Sequence, residues 1–312
     1  MESESTLNPN SPTVMEHKAL TIIVTYNGMK WMERCLSSVC NSSVASDIYI
    51  VDNGSTDGTQ DFIKAKYPQA IFMQNTENSG FGKANNYGLQ YAADNGYDYV
   101  YLLNQDAWVE KDTFKTLISQ HLANPVYGIL SPIQIQGNGE KMDKNFLNNV
   151  ASRTIGRSLM EDIYFGNVQE IYEVADVMAA HWMISRECLL ATGGFSPAFR
   201  HYGEDDNYVD RAIYHGFKAG IVPATKAVHD RETRKDTPAS LSYRCGTMAL
   251  IELSRITGKI RWARIIMKFA QYTYNHGLFR HYKYIFIHLF NLSKILKIRK
   301  ASRQKGAFLN IG

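Results

Sequence analysis

The chain reads as short apolar runs that break at polar turns and give way to helical patterns. Residues 19–25 are apolar and β-branched, the mark of a strand buried on both faces, and they stop at Tyr26-Asn27-Gly28. Residues 31–40 carry apolar positions at helical spacing, 47–51 read as a second strand, and 59–66 as a second helix. The pattern continues with a strand over 70–74, a helix over 83–95 entered through Ser79-Gly80-Phe81-Gly82, and a strand over 97–103. Later come a strand over 176–184, a short helix over 187–192 stopped by Gly193-Gly194, and an apolar strand over 219–228. Strands alternating with helices predict an α/β fold with a mostly parallel sheet flanked by helices. Residues 134–172, with Gly137, Gly139 and few apolar runs, read as an irregular loop or lid, and the chain beyond about 239 reads as helical.

The strand ends carry the candidate chemistry. Parallel strands of an open sheet deliver their carboxyl ends to one edge, where ligands bind. Here those ends are Thr25-Tyr26-Asn27, Asp52-Asn53-Gly54-Ser55 and Asn104-Gln105-Asp106. A carboxylate such as Asp106 suits a divalent metal held against a phosphate. Asp52 suits the imide N–H of uracil or thymine, a donor cytosine lacks. The glycine turn at Ser79-Gly80-Phe81-Gly82 offers backbone N–H groups to a phosphate or ribose. Turns favour Asp, Asn and Gly on their own account, so the convergence of three ends is what favours a ligand site. Farther along, Tyr202-Gly203-Glu204-Asp205-Asp206-Asn207 concentrates carboxylates before a helix. A solvated acidic loop is the ordinary reading of such a run. Near a metal-bound diphosphate, one of these groups suits a general base. His229, at the end of the last apolar strand, suits a third metal ligand.

Charge divides the chain. It has 312 residues, with 34 Lys and Arg against 30 Asp and Glu. No acid follows Glu252 while 13 basic residues do, so the first 252 residues carry −9 and the remainder +13. Such halves face different partners. Cys35, Cys40, Cys188 and Cys245 lack zinc-type or CxxC spacing and read as reduced, buried thiols in a cytoplasmic setting. Residues 1–17 are polar without an apolar core and read as a disordered lead-in.

Seven segments together resemble family 2 glycosyltransferases of the GT-A fold, close to the bacterial rhamnosyltransferase-like branch. They are Ile23-Val24-Thr25-Tyr26-Asn27, Val51-Asp52-Asn53-Gly54-Ser55-Thr56-Asp57-Gly58-Thr59, Asn78-Ser79-Gly80-Phe81-Gly82-Lys83-Ala84-Asn85-Asn86-Tyr87-Gly88, Leu102-Leu103-Asn104-Gln105-Asp106, Gly193-Gly194-Phe195, Tyr202-Gly203-Glu204-Asp205 and Val228-His229. Seven motifs in order are far more specific than one. The resemblance implies a GT-A catalytic domain over 18–238 and a basic helical extension over 239–312. It implies a nucleotide-sugar site in which Thr25, Tyr26, Asn27, Asp52, Asn53 and Gly54 hold base and ribose. Asn78, Gly80, Lys83 and Asn85 would line the same cleft. Asn104, Gln105 and Asp106 match the D-x-D segment, with Asp106 its final acid, and His229 matches the distal metal-site histidine. The implied cofactor is Mg²⁺ or Mn²⁺. Asp205 matches the base of inverting members, with Glu204 orienting it or the acceptor. Two positions depart from the pattern: Asn104 stands where the first Asp belongs, and Asn207 stands where a further acid belongs.

The implied activity is transfer of a sugar from a UDP- or dTDP-sugar to a hydroxyl of a glycan or lipid-linked acceptor, in bacterial surface polysaccharide synthesis. A sugar nucleotidyltransferase would want a longer, glycine-rich and basic loop than Thr25-Tyr26-Asn27-Gly28-Met29-Lys30. A nucleic-acid-binding module is suggested by basic residues interleaved with Tyr272, Tyr274, Tyr282 and Tyr284, but the acidic body would repel a phosphate backbone, and no nucleic acid is expected. A catalytically silent binding protein would not need Asp52, Asp106, Asp205 and His229 together. In the tail, Ile285, Leu289, Leu292 and Leu296 share one helical face flanked by Lys283, Lys294, Lys297, Arg299 and Lys300. That face predicts either packing on the catalytic domain, as expected of Ile260, Ile265, Ile266 and Phe269, or docking on an anionic membrane surface. The expected location is cytoplasmic, peripheral on the inner face of the membrane.

Overall fold

The computed structural model describes residues 17–151, 153–231, 237–276 and 291–309. Residues 1–16 of the expected lead-in lie outside that range, as do Arg280, Tyr282, Lys283, Tyr284, Ile285 and Leu289.

The first half builds a parallel layer. Strand β1 (Ala19–Thr25) is followed by α1 (Met29–Cys40), β2 (Asp47–Asp52), α2 (Thr59–Lys66), β3 (Ile71–Gln74), α3 (Phe81–Asp94) and β4 (Tyr99–Asn104). Leu20, Ile22, Ile23, Ile50, Leu102 and Leu103 are all buried, as unbroken β-branched and apolar runs require when helices cover both faces. The register sets Thr25 opposite Asp52 and Val24 opposite Asn104, so the three polar strand ends lie side by side on one edge.

The second half makes the sheet mixed. After β5 (Ala107–Val109), α4 (Thr113–Ala123) and β6 (Tyr127–Ile135), the chain forms α5 (Lys144–Phe146) and α6 (Leu159–Phe165) before β7 (Tyr172–Val174). Then come β8 (His181–Ser185), α7 (Arg186–Thr192), α8 (Glu204–Tyr214) and β9 (Lys218–His229). The described strands form one nine-stranded sheet in the order β3-β2-β1-β4-β8-β6-β9-β5, with β7 beside β9. β8 runs antiparallel to β4 and β6, while β6 and β9 are parallel. β5 returns antiparallel to β9 and pairs Ala107 with His229, which carries Asp106 to the end of β9.

Three expectations are corrected. The strand expected over 176–184 begins only at His181; just before it, the Ala179 N–H and Ala180 carbonyl bond to the site described below. The stretch 134–172 is not wholly irregular. Asp143 and Ser158 cap short helices with their side chains, and Phe146 and Leu159 are buried. Finally, Cys40 is exposed, whereas Cys35 and Cys188 are buried and free as expected.

The basic extension packs on the domain. Helix α9 (Pro238–Ser254) starts at a Thr237 capping box, α10 (Trp262–His276) folds back on it, and α11 (Leu292–Ala301) crosses it. Phe199, Leu250, Leu253 and Ile295 form a small core there, with Ile260, Ile265 and Leu292 against it. On the face expected either to pack or to meet a membrane, Leu292 packs against this core while Leu296 is 41% exposed, and Ile295 is the buried residue of α11. Ile266, expected to pack, is exposed. Downstream of α11 the chain returns to α7, where Gly194 N–H donates to Ala307 O (2.8 Å).

Candidate active site

The loop after β2 is held by its own acid. Asp52 is fully buried, and its two oxygens accept five hydrogen bonds. Thr25 Oγ1 and Ser55 Oγ donate to Oδ1 (2.8 and 2.5 Å). Gly54 N–H, Ser55 N–H and Gln60 Nε2 donate to Oδ2 (3.1, 2.9 and 2.9 Å). Five donors thus converge on this carboxylate, and through them Asp52 shapes the loop. Asn53 does the same one step along, its Oδ1 accepting from Asn75 Nδ2 (2.9 Å) and Ser79 Oγ (3.1 Å). Asn85 is buried and bonds back to Phe81 O. Gly54 has φ +82°. Groups that face solvent here are Tyr26, Asn27, Thr56, Asn78 and Lys83. Gln105 clamps Tyr26 at both ends, accepting from its N–H (2.8 Å) and donating to its carbonyl (3.2 Å).

Gly80 closes the other side of this cleft. It has φ +86°, and a side chain there would meet Arg200 O at 2.6 Å, so only glycine lets the 199–203 loop lie over the start of α3. Asn78 Oδ1 accepts the Gly80 N–H (3.0 Å) and fixes that turn.

The metal candidates meet as the β5–β9 pairing requires. His229 Nε2 lies 3.5 Å from Asp106 Oδ1 and 3.4 Å from Asn104 Nδ2. Burial pushes the Asp106 carboxyl up, but the hydrogen bond and charge of His229, with Arg231 nearby, outweigh it and leave it below its usual value. Two ligands each about 2.1 Å from one ion stand roughly 3–3.5 Å apart, so Asp106 and His229 fit a divalent cation. No three His, Cys, Asp or Glu side chains converge among the described residues. An ion here would take its remaining ligands from Asn104, a diphosphate and water.

The acidic loop faces the same place. Ala179 N–H donates to Asp205 Oδ2 (3.0 Å), while Ala180 O accepts the Asn104 N–H (3.2 Å). Residues 179–180 thus tie the Asp205 carboxylate to the end of β4. Burial, and then the neighbouring Glu204 charge, push the Asp205 carboxyl well above its usual value. Glu204 is raised too, first by burial, and its Oε2 finds no partner among the described residues. Asn207 is a brace: it accepts from Arg211 Nε (3.2 Å) and reaches Ser254 on α9 (3.5 Å). Gly203, at φ +85°, leaves no room for a side chain against Phe199, Thr247 and Ile251, so α9 holds the turn into α8.

Two participants escaped the sequence reading. Arg231 Nη2 lies 3.4 Å from His229 Nδ1, and its Nε lies 3.4 Å from Asp143 Oδ2. Its charge lowers both Asp106 and Asp205. His181 is fully buried, links Tyr101 (2.9 Å) to Val228 O (2.9 Å), and stands edge-on to His229. Burial drops its ring to about 3, so it stays neutral and holds the end of β9. The only sequence signal for Arg231 was its place two residues after His229.

The fold is that of GT-A glycosyltransferases. It matches S. aureus TarS 1–349 (TM-score 0.55, 17% identity, 83% of this chain and 72% of that one). It also matches the mannosyltransferase PcManGT from Pyrobaculum calidifontis, solved with GDP-Man and Mn²⁺ (TM-score 0.54, 19% identity, 94% of this chain and 76% of that one). The sequence profile of Glycosyl transferase family 2 matches residues 21–190, more than half of the chain, and the protein belongs to that family. It is a glycosyltransferase. Among curated relatives, N-acetylglucosaminyl-diphospho-decaprenol L-rhamnosyltransferase of Mycobacterium tuberculosis is 25% identical over 244 residues, 70% of this chain and 78% of that protein. Undecaprenyl-phosphate mannosyltransferase of Micrococcus luteus is 30% identical over 92 residues; the match spans 28% of this chain and 38% of that protein's length.

Proposed function

We propose that the protein is an inverting glycosyltransferase that moves a sugar from a UDP- or dTDP-sugar to a hydroxyl of a lipid-linked acceptor in bacterial surface polysaccharide synthesis. The observation that supports this reading is the backbone tie at residues 179–180, which links the Asp205 carboxylate to the Asn104 end of β4, the strand end next to Asp106. A base and a diphosphate site facing one cleft are what in-line displacement at an anomeric carbon needs.

Tyr26, exposed and clamped by Gln105, offers a ring face for the base. Asn78, Lys83 and the turn at Gly80 border the ribose and phosphates. Asp106, His229 and Asn104 would hold a divalent cation, which supplies charge to the leaving diphosphate. Arg231 adds a fixed positive charge on the same side, in a site where Asn104 brings no negative one. Asp205 takes the proton of the acceptor hydroxyl as that oxygen attacks from the face opposite the diphosphate. Glu204 keeps the Asp205 carboxyl basic through its own charge. The UDP alternative has a precedent in the same fold, a TarS chain solved in complex with UDP-GlcNAc (TM-score 0.54, 17% identity). The lipid-linked acceptor is supported by the decaprenol and undecaprenyl substrates in the relatives' names.

The test is a thermal-shift panel of nucleotide sugars with Mn²⁺, followed by transfer from the stabilising donor to a bacterial lipid extract. A UDP- or dTDP-sugar should give the largest shift, and the product should have the inverted anomeric configuration. Retention, or stabilisation by GDP-sugars alone, refutes the reading.

A further inference from the structure

Among the described residues, helix α10 is anchored on one face and exposed on the other. Its inner side is fixed by Ile265 against the small core, and Arg261 and Arg264 both reach Glu252 (3.3 and 3.0 Å). Its outer side presents Trp262, Ala263, Ile266, Met267, Ala270, Gln271 and Tyr274, spaced at i, i+4, i+8 and i+12 and their neighbours, with no charge among them. Trp262 is 46% exposed, Ile266 64%, Met267 63% and Tyr274 91%. Four large apolar side chains in one uncharged stripe exceed the scattered apolar residues of an ordinary surface.

The charge of the segment that carries the stripe indicates its occupant. The chain from residue 253 onward has 13 Lys and Arg and no acid. Lys259, Lys294, Lys297, Lys300, Arg303 and Lys305 are exposed in that segment. A second copy would bring an identical all-basic segment against this one and repel it. An anionic lipid surface neutralises the charges and takes the Trp, Ile and Met side chains into its headgroup boundary. No helix among the described residues is long and apolar enough to cross a membrane.

We propose that the outward stripe of α10 docks the protein on an anionic membrane surface. This replaces the last helix, whose Leu292 and Ile295 are already used inside. The stripe is one helix away from the chemistry. α10 packs on α9, and α9 holds the loop before α8: Tyr243 OH donates to His201 O (2.9 Å), and Thr247 and Ile251 crowd Gly203. Docking through α10 therefore sets the Glu204–Asp205 loop close to the membrane. For its purpose this inference rests on the lipid-linked acceptor proposed above, but its test uses neither donor nor acceptor.

The full-length protein is sedimented with vesicles of phosphatidylglycerol and phosphatidylcholine, or of phosphatidylcholine alone. Binding is expected to the anionic vesicles and to fall steeply at high salt. The double substitution Ile266→Glu/Met267→Glu should cut it by roughly tenfold or more, with an unchanged melting temperature because both side chains are exposed. The milder pair Ile266→Ser/Met267→Ser should weaken binding in the same direction and serves if the first variant melts early. Wild-type binding by both variants, or equal binding to neutral vesicles, overturns the proposal. So does a lipid-free dimer that the substitutions split into monomers. A loss of UDP-induced thermal shift on the same samples would count against the proposed function and leave the docking face standing.

Discussion

Replacing Asp205 by Asn removes a charge and almost nothing else. The amide oxygen can still accept the Ala179 N–H, and the α8 N-terminus keeps its shape. General base catalysis typically contributes ~10²–10⁴-fold, so transfer should fall by that factor while donor affinity stays within about twofold. Stability should move the other way. The Asp205 carboxyl is raised by burial and by Glu204, so the folded protein holds a proton that the unfolded chain releases near pH 3.9. Between the ordinary and the raised value the folded state binds more protons, and stability falls as pH rises. Asp205→Asn lacks that loss. Its melting temperature should exceed wild type by a few degrees, with a larger margin at pH 8.5 than at pH 5, since each kcal/mol is worth about 2–4 °C in a domain of this size. Calorimetric melts at the two pH values and initial rates of sugar transfer provide the readouts. Full turnover in the variant refutes the base; a melting temperature lower than wild type at both pH values refutes the electrostatic argument.

The other expectations concern neighbours of this group. Glu204→Gln removes a charge that raises Asp205, so the acid limb of the rate–pH profile should shift to lower pH. Arg231→Ala removes a charge that lowers both Asp205 and Asp106; its acid limb should shift to higher pH and nucleotide affinity should drop about tenfold in calorimetric titration, with Lys restoring part of it. Asn104→Asp supplies the missing carboxylate and should tighten Mn²⁺-dependent nucleotide binding several-fold by the same titration.

The parallel half of the fold was legible because its strands are buried on both faces and therefore read as unbroken apolar runs; β1 has the expected bounds, and so does α2. The segment between Asp106 and residue 134 was not read: β5 has three residues, too few for a period to show, and the direction of β8 is set by partners distant in sequence. Residue types at the site were legible, but their partners were not. The donors that Thr25, Gly54, Ser55 and Gln60 fold around Asp52 could not be read from its place at a strand end, and Asn207 resembles a lost acid until Arg211 and Ser254 meet it. Arg231 became visible only when β9 set it beside His229. In the tail the sequence left the Leu292–Leu296 face open between packing and exposure, and only the placing of α9 beside α11 shows that Leu292 and Ile295 turn inward while Leu296 does not.

Asp106 and His229 are proposed to form a cation-assisted nucleotide site facing Asp205. Isothermal titration of UDP into wild type and Asp106→Ala, each with Mn²⁺ and with chelator, tests it most directly. Binding to wild type should weaken at least tenfold without metal, and the variant should bind weakly in both conditions. Equal affinity in all four titrations would contradict it.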